Sequence, residues 1–170
     1  MARKNVFIFF AAFVLPVGLA LWWWGTFADA EINVVERGPY RYAYRVYSGD
    51  YSKIPQWKGE VTRALEAQRV GRGLPVTMLL NDPRTTPVRQ RQVHIGYLVA
   101  ADARVAAPLL IGSVPRRGVV LVEVRASPLM APGKAYAALI DYCQDKGIPF
   151  RLPTFELYNN GVLAVEMDYD

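Results

Sequence analysis

Beyond residue 30 the chain alternates two kinds of apolar spacing. Ile54, Trp57, Val61, Ala64, Leu65 and Gln68 recur every three or four positions, the mark of a helix with one buried face, and Gly71 follows as a plausible C-cap. Tyr136, Leu139, Ile140 and Cys143 repeat that spacing, with Pro132 suited to a first helical turn and Gly147 to a C-cap. Strand-like runs flank each helix. Residues 39–49 (PYRYAYRVYSG) and 118–127 (GVVLVEVRAS) precede them. LPVTMLLNDP at 74–83 and LPTFELYNNG at 152–161 follow, and each copy closes on another strand, at 91–99 and 161–169.

The two halves therefore read as a repeat. LPVTMLLNDP aligns with LPTFELYNNG without a gap, matching Leu74-Pro75 to Leu152-Pro153 and Met78 to Glu156. Two βαββ units paired about a pseudo-twofold axis predict an α+β fold, with one antiparallel sheet and two helices on one face. The other face is expected to be open and to hold a ligand. The stretch between the halves, AADARVAAPLLIGSVPRRG, is rich in Ala and Pro and reads as a connecting loop with room for a short helix.

Ahead of the repeat, residues 6–27 carry no charge over 22 positions, long enough for a helix to cross a hydrocarbon core of roughly 30 Å. Arg3 and Lys4 precede the run, and Asp29 and Glu31 follow it. The positive-inside rule then makes residues 1–5 a cytoplasmic tip and sends residues 31–170 across, to the periplasm in a bacterium. Trp22, Trp23 and Trp24 fit an interfacial belt. The alternative is a secretory signal peptide cleaved after Ala28-Asp29-Ala30, which would release the domain on the same side.

Composition narrows the function classes. The formal charge of +5 comes from 20 basic and 15 acidic residues, but no basic run is interleaved with stacking aromatics, so no nucleic-acid partner is expected. A single Cys143 excludes an intramolecular disulfide, and on the exterior side it suggests a buried thiol. His94, the one histidine, has no second His or Cys at ligand spacing, so no metal and no cofactor are expected.

The duplicated βαββ unit, with SGDY before the first helix and LPTFELY after the second, resembles the GyrI-like small-molecule-binding domain family across residues 31–170. Within it the chain is similar to membrane-anchored members, a eukaryotic ER-phagy receptor among them, through Asn81-Asp82-Pro83 and Pro153 to Tyr158. The resemblance implies ligand binding in a sheet groove, with the carboxylate of the P-x-x-E-x-Y stretch, here Glu156, facing a cationic or polar ligand. No DNA-binding helices precede the domain and no long tail follows Asp170, so neither a regulator nor an autophagy-receptor role is expected.

Alternation along the strands sorts the candidate site residues. Thr154, Glu156 and Tyr158 share one face, expected to be the open one, while Phe155 and Leu157 share the other and should meet the helices. Met78, with Leu80 beside it, would give an apolar counterpart to Glu156, an asymmetry suited to an amphipathic ligand. His94 lies opposite the apolar face of its strand, as a surface or groove residue. Trp57 is a core or groove-rim residue, and Tyr47 is a further candidate ligand contact. Tyr40, Tyr42 and Tyr44 share a face; on the helix side they would be core, on the open side an aromatic wall. The expected function is membrane-anchored binding of a small cationic or amphipathic ligand. The alternatives are hydrolysis of a reactive small molecule by Glu156 and Tyr158, or a tethered adaptor for a protein partner.

Overall fold

The structure, a computed structural model, describes residues 2–23 and 29–169. Helix α1 spans Ala2–Trp23, with side chains described over residues 10–20. Eight strands follow: β1 Ala30–Arg37, β2 Tyr40–Ser48, β3 Pro75–Leu79, β4 Gln92–Leu98, β5 Leu110–Val114, β6 Arg117–Arg125, β7 Thr154–Asn159 and β8 Val162–Asp168. Helix α2 (Ile54–Ala67) precedes β3, and α3 (Ala131–Lys146) precedes β7. All strands pair antiparallel in one sheet of order β1-β6-β8-β7-β3-β4-β2-β5. The duplicated α+β sandwich is thus the observed architecture, with its pseudo-twofold axis at the β3–β7 seam.

Both helices form where the spacing predicts. Trp57, Val61 and Leu65 bury one stripe of α2, and Ala135, Leu139 and Cys143 the matching stripe of α3. Gly147 adopts the left-handed conformation that ends α3, with φ of 66°. Gly71 has no such role, because α2 ends earlier, on Gln68. Cys143 is buried, its thiol 3.9 Å from the Met167 sulfur.

Two strands depart from the expected pattern. Residues 30–37 form β1, although no element is legible there, since most of the strand is exposed and has no clean alternation. The connecting segment contains β5 rather than a helix. These strands are exchanged between the halves. β1 runs directly into β2 yet pairs with β6, while β5 runs into β6 yet pairs with β2. Their connections pass each other closely. A Cβ on Gly38, whose φ is +89°, would lie 2.7 Å from the Pro115 carbonyl oxygen, so no larger side chain fits.

The exchange curls the sheet, and this overturns the expectation of an open face. Three strand spacings separate β2 from β7, about 14 Å in a flat sheet. The Tyr40 and Phe155 rings nevertheless stack at 5.2 Å, and the Tyr42 ring meets Phe155 edge-on at 5.5 Å. The face away from the helices is therefore concave and filled. Tyr42, Val76, Val119, Leu121, Phe155, Leu157 and Ala164 form its core. Within it Glu166, 0% exposed, accepts from Arg37 Nε at 2.8 Å, Tyr40 Oη at 2.7 Å and Arg117 Nη2 at 3.2 Å. Arg117 also pairs with Asp168. A buried carboxylate is tolerable only when paired in this way.

Among the described residues, no helix is long and apolar enough to cross a membrane. The expected span at 6–27 includes Trp24 and the following residues, which lie outside the described ones, as does Ala28 of the cleavage alternative.

Candidate functional site

The helices stand on the convex face, where α2 packs on β4 and β2, and α3 on β6, β8 and β1. The central strands β3 and β7 lie between them. There a cleft of about 730 Å³ opens, with the sheet as its floor and the helices as its walls. That volume suits a drug-sized organic ligand.

Glu156 sits on this floor, so the face expected for it is reversed. Thr154, Glu156 and Tyr158 point toward the helices, and Phe155 and Leu157 away from them. Alternation groups these side chains correctly but does not say which group meets the helices, because both faces of the sheet are apolar. The gap-free repeat alignment is also one residue out. Met78 packs on the concave face beside its register partner Phe155, whereas Thr77 is the residue opposite Glu156 and lines the cleft with it. The shared Leu-Pro pair conceals this shift.

Local structure positions the walls. Asp50, from the SGDY stretch, accepts from Ser52 N at 2.9 Å and caps the 3-10 turn Tyr51–Lys53 that leads into α2. That turn sets Tyr51, Ile54 and Lys58 along one side. Across from them α3 presents Pro132, Tyr136 and Ile140, joined by Phe150 and Leu152. The β3–β4 loop covers one end, where Asp82 and Arg84 pair at 2.7 Å and the Arg84 guanidinium lies 5.5 Å from the Phe150 ring centre. Leu129, 87% exposed, stands at the rim.

Tyr136 is the residue that sequence reasoning missed. Its hydroxyl donates to Glu156 Oε1 at 2.8 Å and lies 2.6 Å from Thr154 Oγ1. It had been legible only as one apolar position of the α3 stripe. Burial raises its phenol well above the ordinary value, and the Glu156 charge adds to this, so it stays protonated and donates. Burial likewise pushes the Glu156 carboxyl above the ordinary carboxylate range, against the Tyr136 hydrogen bond and the Lys58 charge. Lys58 is lowered by burial, with Glu156 opposing. Aromatic rings, a carboxylate and an amine thus share one low-dielectric cavity.

The other candidates fall elsewhere. Tyr158 lines the cleft, with its hydroxyl on the Ala126 carbonyl at 3.3 Å. Leu80 follows β3 and does not line it. Trp57 is core, stacked on Tyr47 at 4.9 Å behind the α2 wall. Met78 and His94 come together on the concave face, where the Tyr42 hydroxyl is 3.7 Å from the Met78 sulfur and 3.4 Å from His94 Nδ1. Tyr44 stacks on His94 at 4.2 Å, and burial lowers the His94 pKa. Tyr40, Tyr42 and Tyr44 share this face as packed core, so they form neither a helix-side core nor an open wall.

No protein-family model and no curated protein matches the chain. Solved structures do. The C-terminal domain of EcmrR superposes with a TM-score of 0.66 at 13% identity, over 83% of this chain and 96% of that domain. EcmrR in its complex with DNA gives 0.67 at 11% identity, over 82% of this chain and 57% of that one, so the chain spans little more than half of EcmrR. SAV2435 bound to tetraphenylphosphonium gives 0.58 at 11% identity, over 81% and 93%. These likenesses establish the fold, which is the GyrI-like one.

Proposed function

We propose that the chain is a small-molecule-binding protein whose cleft takes an amphipathic organic ligand, with a cationic group at Glu156. The observation that carries this is the half-buried carboxylate on the floor of a large apolar cavity with tyrosines at its walls. A carboxylate and π faces attract a weakly hydrated cation, and the low dielectric strengthens both attractions. The tetraphenylphosphonium in the structure of SAV2435, which shares the fold, supports this ligand class. Titration calorimetry with tetraphenylphosphonium is the test. Glu156→Gln should weaken binding about tenfold or more, the loss of roughly 1.4 kcal/mol or more of charge attraction. Equal affinities would overturn the charge role.

A hydrolytic reading draws on the raised carboxyl and the Tyr136 hydroxyl beside it, a general base with a phenol donor. Tyr136 takes the partner role assigned to Tyr158 from sequence. Turnover of an activated ester that disappears in Glu156→Gln while binding persists would favour it.

For location, we infer that residues 6–27 anchor the chain in a bacterial inner membrane with the domain on the periplasmic side. The uncharged run supports this, as do exposed apolar side chains in α1 such as Phe10 and Leu19, at 65% and 58%. Carbonate extraction and protease accessibility in spheroplasts test it. A mature chain beginning at Glu31 would overturn it in favour of cleavage.

A further inference from the structure

We propose that the ligand is amphoteric: it carries an acid group for Lys58 as well as a cation for Glu156. This rests on the cleft being the binding site, and it narrows the ligand class.

Lys58 occupies in α2 the place that Tyr136 occupies in α3. Each directly follows the buried residue two turns before the last of its helix's stripe, Trp57 before Leu65 in one case and Ala135 before Cys143 in the other. The two side chains therefore face the same β3–β7 seam from opposite walls, and both line the cleft with Glu156. The pseudo-symmetry has been broken chemically, with an amine on one wall and a phenol on the other. Tyr136 is committed to Glu156. Lys58 has no carboxylate within ion-pair distance among the described residues, Glu156 included. The other charges at the cleft, Asp82 and Arg84, neutralise each other at its end.

The consequence follows from charge balance. The interior holds one carboxylate and one amine, neutral in sum but not joined. A ligand bearing only a positive charge would satisfy Glu156 and leave Lys58 unpaired beside a second cation in an apolar cavity, a costly arrangement. A ligand with both charges separated by an apolar body satisfies both groups and leaves the occupied cleft neutral. Lys58 thus acts as a specificity-determining residue that selects against purely cationic molecules.

The test uses (3-carboxypropyl)triphenylphosphonium and its primary amide, which keep the same cation and nearly the same shape. Calorimetry at pH 7.5 on the full chain should show the carboxylate binding about tenfold tighter than the amide, as expected for one desolvated charge pair. Lys58→Met should bring that ratio to one or below, and Lys58→Arg should preserve it. Glu156→Gln should weaken both compounds and leave the ratio in place. Equal binding of the two by the unaltered protein, or a ratio that survives Lys58→Met, would overturn the proposal. If both bind equally and Glu156→Gln still weakens both, only the role of Lys58 falls. If neither binds, the reading of the cleft as a cation site falls with it.

Discussion

Tyr136→Phe removes one oxygen and leaves the ring in place, so it isolates what the hydroxyl does. Two hydrogen bonds are lost, to Glu156 at 2.8 Å and to Thr154 at 2.6 Å. The first has a charged acceptor when Glu156 is ionised. The second partner is fully buried, at 0% exposure. A neutral bond contributes about 1 kcal/mol net and one to a charged group about 1.5–3 kcal/mol, so we expect a loss of about 2.5–4 kcal/mol. At about 2–4 °C per kcal/mol for a domain of this size, that lowers Tm by about 5–16 °C. The effect on binding has a distinct sign. Tyr136 holds the Glu156 carboxyl down against burial, so without it the pKa rises further and the ionised, cation-binding form appears only at higher pH. Calorimetric titration of tetraphenylphosphonium from pH 5 to 9 should show binding strengthen with pH in both proteins, with the midpoint higher in Tyr136→Phe. A midpoint that stays put or moves down would refute the assignment of Tyr136 as the residue positioning Glu156, even if Tm falls as expected.

Glu156→Gln should alter stability with a sign opposite to that of most substitutions. A folded-state carboxyl raised above its unfolded value favours folding below the unfolded pKa, and that contribution is lost as pH rises through the folded one. The variant should therefore melt higher than the unaltered protein near neutrality, and the advantage should vanish in acid; a variant less stable at pH 8 than at pH 4, relative to the parent, would contradict this. Leu139→Ala, at a fully buried position under α3, should cost about 2–5 kcal/mol in denaturant unfolding through the cavity it leaves. Glu166→Ala should cost about 3–5 kcal/mol, because it removes a fully buried carboxylate that Arg37, Tyr40 and Arg117 all donate to. A change in urea midpoint below that of an ordinary surface substitution would show that the cluster is dispensable.

Much of the fold was legible because it is local. Helical spacing is carried by neighbouring residues, so α2 and α3 appear in the pattern, and Gly147 marks the end of α3 because only a glycine adopts its conformation freely. Six of the eight strands, and the duplication itself, can be read the same way. β5 was hidden by the Ala- and Pro-rich residues before it. β1 was hidden because an edge strand with most side chains in solvent needs no alternation.

By itself, the sequence determined α2, α3 and six of the strands, their duplication and the carboxylate that sets the second half apart. Glu156 is visible as a lone charge in a strand of apolar residues. Where that charge points was decided only by the tertiary structure. Both faces of β7 carry residues able to be core, and the exchanged edge strands curl the sheet until Tyr40 closes on Phe155. With the concave side full, the cleft over the β3–β7 seam lies between the helices, where Tyr136 and Lys58 line it with Glu156. Those three residues lie on three elements, and nothing in local spacing joins them; their meeting depends on strand register and sheet curvature, which are properties of the whole assembly of strands.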